Sequence, residues 1–240
     1  MMVGIHQPMY LPWLGYFDRI HRCDAFVLLD DASYSRNYFI NRNRIRTREG
    51  WTWLTVPVLT SGKFGQEIRE VEVDRTLGWQ AKHWKNIMYS YQNAPHFARY
   101  KEYFREFYTR DYTRLVEVLM ESLEYLLKSV GVRTRTFRAS ELGVTGTKGE
   151  RLLGICRHLG ADSYLSGPSG RDYLDLPTWR AEGIQVYFHE YRHPEYPQVH
   201  GNFIPEMSII DLLFNCGGES LRLLSESQPG YGKESRGGSG

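Results

Sequence analysis

The chain opens on a strand that its own sequence forbids from continuing. Val3-Gly4-Ile5 reads as a short buried strand, yet Pro8 and Pro12 interrupt the backbone before Tyr16-Phe17-Asp18-Arg19-Ile20 resumes as a helix. Each proline fixes φ and removes a backbone donor, so the intervening turn has few conformations open to it. His6, Gln7, Tyr10 and Trp13 fall within this turn. In open α/β sheets ligands bind at the C-terminal ends of strands, which makes these four candidates for a site. The same stretch also reads as a packed turn with Trp13 in the core.

The pattern after this opening predicts a layered fold. Residues 25–31 read as a second buried strand ending in the carboxylates Asp30 and Asp31. Residues 53–58 read as a third strand, and 68–74 alternate like a strand with one wet face. Helices are expected over 79–91, from Ala94-Pro95 through Tyr108, and from Asp111 as N-cap to Val130 before Gly131. Strands at 134–137, 163–165 and 184–188 then alternate with helices at 147–159 and 176–182, and a last helix spans 208–215. This rhythm implies an α/β fold with a largely parallel sheet and helices on both faces. Residues 1–226 form one domain in this reading, with a helical insertion at 79–130. From 227 to 240 the composition turns to Gly, Ser, Pro, Lys and Glu, which predicts a disordered tail.

Composition narrows the partners. Thirty Lys and Arg against 28 Asp and Glu leave no global field suited to nucleic acid. No apolar run approaches the roughly 18 residues of a membrane helix, so no membrane insertion is expected, and nothing resembles a signal peptide. Cys23, Cys156 and Cys216 are odd in number and lack a CxxC spacing. That favours reduced core thiols in a cytoplasmic protein. Seventeen tyrosines suggest a pocket that packs rings against a small-molecule substrate.

Three further segments could hold an anion. Asp30-Asp31 is followed by Asn41-Arg42-Asn43-Arg44, whose amides and guanidinium forks suit phosphate or carboxylate; a solvated basic loop is the plainer alternative. Thr147-Lys148 lacks the Walker A spacing but offers N–H groups, a dipole and an ammonium at a helix start. An ordinary capping box of Thr147 with Glu150 accounts for the same residues. Ser166, Gly167, Ser169, Gly170, Arg171 and Tyr173 follow a strand, and the backbone amides of such a turn can form an anion nest closed by Arg171.

One motif misleads. His189-Glu190-Tyr191-Arg192-His193 spells the HExxH of zinc proteases, which requires a helix to bring both histidines to one face. Here a strand precedes it and Pro194 follows, and in extended chain residues four apart lie roughly 13 Å apart. The zinc reading is therefore rejected, and the metal is left unknown. His193, Tyr196 and Gln198 are read instead as part of a rigid loop closing the pocket.

These pieces together resemble the WbqC-like family. The resemblance rests on HQPMYLPWLGYF (6–17), DAFVLLDDASYS (24–35) with NRNRI (41–45), WLTVPV (53–58), the long stretch 148–175, HPEYPQ (193–198) and SIIDLLFNCG (208–217). It runs in order over roughly residues 3 to 217. One departure is Ser33, where a glutamine is expected; it bears on substrate choice or a polar contact. The resemblance implies an enzyme of bacterial surface-polysaccharide or secondary-metabolite biosynthesis, acting on an amino group such as that of an amino-sugar nucleotide.

By fold-level analogy, the opening strand and turn are similar to those of Rossmann/HUP-like nucleotide-binding enzymes that form adenylates. The expected scheme is that ATP with Mg²⁺ activates a small carboxylic acid or amino acid, and an amine then forms the amide. His6 would bind phosphate or move a proton, Asp30 or Asp31 would hold Mg²⁺ or orient the amine, and Lys148 and Arg171 would stabilise phosphate charge. The alternatives are an ATP-independent acyl or group transferase with a preactivated donor, and a non-catalytic nucleotide-sugar binding protein. All of these readings expect the segments near residues 6, 41, 148 and 169 to meet around one cavity.

Overall fold

Alternate residues of each short strand feed two separate cores. In β1 (Met2–His6), Val3 and Ile5 pack on one face while Met2 lies against the other. In β2 (Ala25–Leu28), Ala25 and Val27 join the first core, and Phe26 and Leu28 the second. That two-residue period is what a strand buried on both faces requires. The computed structural model describes residues 1–226 and the pair 232–233.

α1 (Leu14–His21) links β1 to β2. A hairpin of β3 (Arg42–Thr47) and β4 (Gly50–Thr55) follows, then α2 (Trp79–Tyr91), α3 (Phe97–Phe107) and α4 (Leu115–Val130). The chain returns through β5 (Arg135–Arg138), α5 (Lys148–His158), β6 (Ser163–Ser166), α6 (Leu176–Ala181) and β7 (Gln185–Phe188). α7 (Ile209–Cys216), α8 (Ser220–Glu226) and a two-residue β8 (Gly232–Lys233) complete the described chain. Residues of α5 and α6 cover one face of the sheet, and those of α1, α4, α7 and α8 lie in the core on the other.

The main sheet runs β5-β2-β1-β6-β7-β8, and its first five strands pair in parallel. This is a doubly wound sheet of Rossmann/HUP-like kind. The chain leaves β1 toward β2 on one side, while β6 leads to β7 on the other. The loops after β1 and β6 therefore diverge, and a crevice opens between them at the point where strand order reverses.

Several sequence expectations are corrected. Residues 41–46 are no basic loop: they enter and form β3, paired antiparallel with β4. Arg42 and Arg44 lie over Trp53 and Trp51 on one side of the hairpin, while Asn43 and Ile45 are buried on the other. Residues 68–74 are not a strand. Glu67 and Glu70 cap one another around a 3-10 turn at Ile68–Glu70, and only isolated bridges join Glu72 to Arg114 and Val73 to Val58. Asp111 does not cap α4; Glu117 reaches back to the N–H groups of Thr113 and Arg114, and Asp111 pairs with Arg75 at 2.8 Å. The Thr147 side chain makes no capping bond to α5. α8 was not anticipated. Of the expected tail, Gly232–Lys233 pairs antiparallel with β7, and the rest of 227–240 lies outside the described residues.

Candidate active site

A cavity of about 740 Å³ occupies the crevice where the strand order reverses. Its floor comes from the end of β1, one wall from α1, and another from the turn after β6, with β7's exit loop opposite. Of the residues expected at a site, His6, Gln7, Trp13, Gly167, Ser169 and Tyr173 line it.

The turn after β1 is held in a costly shape. Leu11 adopts φ 42°, a left-handed conformation that a γ-branched side chain resists, and Pro12 follows it. Asn43 secures it: its Nδ2 donates to the Leu11 carbonyl at 2.9 Å and its Oδ1 accepts from the Arg44 N–H at 2.8 Å. Tyr10 N–H donates to the Ile40 carbonyl at 2.9 Å. The Trp13 indole folds back over Gly15, where any Cβ would overlap the ring. The hairpin thus fixes the turn, and the turn presents His6 and Trp13 to the cavity.

His6 is half-buried, and its Nδ1 lies 2.8 Å from the Gln7 carbonyl. A carbonyl only accepts, so Nδ1 carries the proton and Nε2 keeps a lone pair. Burial first, and then the Arg19 charge, lower its pKa to about 3. The ring is neutral at physiological pH.

Across the cavity, His189 donates from Nε2 to Asp18 Oδ2 at 2.7 Å. The same oxygen accepts from Arg22 Nε at 2.7 Å, while Asp18 Oδ1 is buried without a partner among the described residues. A carboxylate behind an imidazole fixes its tautomer and orientation, as in hydrolase triads. His189 lines the cavity and retains Nδ1 to take a proton. Beside it the Tyr191 hydroxyl is also buried without a partner, and burial raises its pKa far out of range for ionisation.

Arg19 completes the wall. It is buried, lines the cavity, and lies over the Phe26 ring at 5.6 Å. Its side chain has no hydrogen bond or ion pair among the described residues. Arg44 also reaches the cavity, but it is paired with Glu206.

The chain matches the WbqC-like protein family over residues 7–223. It belongs to that family. Rv1507c, an uncharacterized protein of Mycobacterium tuberculosis, is 37% identical over 220 residues, covering 91% of this chain and 95% of its own. No solved structure matches.

Other candidates of this WbqC-like chain lie elsewhere. Asp30 is buried against Arg138 and Ser140, with Arg138 Nε at 2.9 Å and the Ser140 hydroxyl at 2.7 Å. Burial alone would raise its pKa, but these bonds outweigh that and lower it. Asp31 pairs with Arg151. Both oxygens of Asp30 are thus engaged, Asp31 keeps a buried Oδ1 without a partner among the described residues, and neither carboxylate lines the cavity. Among the described residues no group of three or more His, Cys, Asp or Glu is placed to hold a metal.

Thr147 and Lys148 are exposed and away from the cavity wall. Arg171 sits between two lining residues but lies over Phe188 at 4.2 Å and pairs with Glu190 at 3.1 Å. Ser166 and Gly170 pack on each other behind that wall. Tyr10 is buried against His83 and Tyr108, at 2.9 and 2.6 Å. Asn41 ties the hairpin through its Nδ2 to the Val56 carbonyl at 2.8 Å, and Arg42 stacks on Trp53. His193 packs behind Trp13, its ring 5.4 Å away. Tyr196 and Gln198 do not close the pocket; both donate to Asp211 at 2.8 Å in a separate buried cluster. Of the four segments expected to meet, those near 6 and 169 do. The segment beginning near 41 contributes Arg44, with Tyr38 and Phe39 just before it, and the one beginning near 148 contributes Leu152 rather than Lys148.

Sequence reading missed Arg19, Asp18 and His189. A faint signal existed for the first two, since Asp18-Arg19 sits inside the apolar run Leu14 to Ile20 of a helix buried along that length. His189 was set aside with the zinc motif. Ser33 does meet the site's edge: its carbonyl lies 3.4 Å from Gln7 Nε2.

Proposed function

We infer that the chain is an amide-forming enzyme acting on a nucleotide-activated acid. The nucleotide would lie in the crevice, with the acid joined to its phosphate as an adenylate made from ATP supplied as its Mg²⁺ complex. Adenylate formation expels pyrophosphate; an amine nitrogen then attacks the acyl carbon, the new C–N bond forms as the acyl C–O bond to the phosphate breaks, and AMP leaves with that oxygen. The amine's surplus proton passes to a histidine.

The observation that carries this reading is the presence of two differently prepared imidazoles in one cavity at the strand-order switch point. His189, held by Asp18 in the tautomer that leaves the Nδ1 lone pair, is suited to take the proton. His6, held neutral with a free Nε2, is suited to accept a hydrogen bond from the incoming amine. Family membership supports an enzymatic role, and the implied amine is that of an amino-sugar nucleotide. No step is assigned to a protein-held metal, because neither Asp30 nor Asp31 lines the cavity.

The deciding assay supplies purified protein with ATP, Mg²⁺, a panel of small carboxylic and amino acids, and amino-sugar nucleotides. Release of AMP and pyrophosphate with an amide product by mass spectrometry supports the scheme. Amide formation only from a preactivated acyl donor moves the assignment to an ATP-independent transferase. No product from either donor set removes the enzymatic reading.

A further inference from the structure

We propose that Arg19 is the anchor for a single phosphoryl group of a nucleotide, seated between α1 and the turn after β6. The proposal rests on the nucleotide reading above and names the residue that would recognise its phosphate.

Arg19 is 6% exposed, yet it reaches the cavity surface. Its Nε is buried without a hydrogen-bond partner, and no carboxylate among the described residues pairs with it. A buried cation without a counter-charge is strongly unfavourable, and a bound anion relieves it. The other charges at the cavity cancel locally: Arg44 with Glu206, Glu190 with Arg171, and Asp18 with Arg22. Among the described residues, the Arg19 charge at the cavity is therefore left uncompensated.

The turn after β6 is shaped around this guanidinium. A Cβ on Gly167 would stand 2.8 Å from Arg19 Nη1, so glycine here lets the backbone pass beside the guanidinium without displacing it. Ser169 follows on the same wall and offers a hydroxyl donor. A planar guanidinium with a free edge binds phosphate oxygens in pairs.

Position selects phosphate over carboxylate. The site lies at the C-terminal ends of β1 and β6 where the order reverses, the place where open α/β sheets seat nucleotide phosphates. The cavity, at about 740 Å³, falls in the range of pockets for ligands much larger than a small acid. Trp13, Tyr16 and Tyr191 give it aromatic walls for a nucleoside.

The test is calorimetric titration of the full chain with AMP, GMP, UMP and CMP, their parent nucleosides, and acetate at matched ionic strength. At least one nucleotide is expected to bind at least tenfold more tightly than its nucleoside. Arg19→Gln should remove that difference while leaving nucleoside affinity within about twofold. Arg19→Lys, which keeps charge but loses the fork, should retain only part of it. Should Arg19→Gln fail to fold, by circular dichroism and thermal melting, Arg19→Lys alone decides: an unchanged nucleotide-to-nucleoside ratio overturns the proposal. It is also overturned if no nucleotide binds, if Arg19→Gln keeps the full ratio, or if that variant loses acetate binding but not nucleotide binding. Amide synthesis with an unaltered ratio would sink this assignment alone. Nucleotide binding through Arg19 without any amide product would sink the proposed reaction alone.

Discussion

Both oxygens of Asp211 are occupied, by Tyr91 at 2.8 Å on one side and by Tyr196 and Gln198 at 2.8 Å on the other. Arg19, buried in the same fold, has no such partner. The Asp211 cluster joins α7 to α2 and to the loop over residues 196–204, and Tyr91 in turn accepts from the Arg46 N–H at 2.9 Å. Its polar groups satisfy each other and leave nothing for a ligand. Around the cavity, Arg19 Nε, Asp18 Oδ1 and the Tyr191 hydroxyl are all buried and unpaired among the described residues. Unpaired buried atoms also occur elsewhere, among them Trp79 Nε1, Tyr100 Oη and Tyr112 Oη, so what sets Arg19 and Tyr191 apart is that both line the cavity.

The histidines repeat the contrast. His83 and His6 both have pKa values lowered to about 3, chiefly by burial. His83 has both nitrogens engaged, with Thr55 carbonyl at 3.1 Å and Tyr10 hydroxyl at 2.9 Å. His6 engages only Nδ1 among the described residues.

The comparison breaks most visibly at Asp211. Asp211→Ala strands the two buried hydroxyls of Tyr91 and Tyr196 and takes one of two bonds from Gln198 Nε2, and should lower stability by about 4 kcal/mol in urea denaturation; a loss below about 1 kcal/mol would show that the cluster is not the structural one. Asn43→Ala frees the strained Leu11 turn and should cost about 2 kcal/mol, with a matching loss of Trp13 burial in fluorescence quenching. An unchanged melt and emission would mean that the hairpin does not hold the turn.

The pH response sharpens it further. A histidine with pKa 6.5 unfolded and about 3 folded binds its proton only in the unfolded state across that window. Stability is therefore whole above pH 6.5 and falls as pH drops from 6.5 toward 3. His83→Gln should flatten this decline by about 1.4 kcal/mol per pH unit below 6.5; an identical slope in the variant would contradict burial of a neutral ring. The smallest effect belongs to Tyr191→Phe. Its hydroxyl has no partner to lose, so the melt should move by less than about 0.5 kcal/mol, whereas a loss above about 1 kcal/mol would reveal a bond the structure lacks.

Much of the fold was legible because its signals are local. The helix at 79–91 and the strands near 25, 163 and 185 follow from apolar periodicity and flanking turn residues within one short window. The errors came where two readings fit one window. Asn41 to Arg46 looked like an anion-binding loop because its alternation is between polar side chains. Only the tryptophans of β4 show which side packs. Residues 68–74 alternate like a strand, but no neighbouring strand is there to pair along its length.

At the site, the turn after β1 and the one after β6 were visible because glycine, proline and strand ends announce themselves. Lys148 and Asp30 looked as plausible as His6, since residue type alone does not say whether a charge is already engaged.

The sequence by itself determined the strand–helix alternation, the two-faced burial of the sheet and the rigid turn that follows β1, because each depends on residues close together in the chain. Tertiary structure alone decided which charges remained unanswered. Glu206 reaches Arg44 across 162 positions, Arg138 reaches Asp30 across 108, and no acidic side chain among the described residues reaches Arg19. Charge compensation is a property of distance in space, and a single chain position carries no record of what will be folded against it.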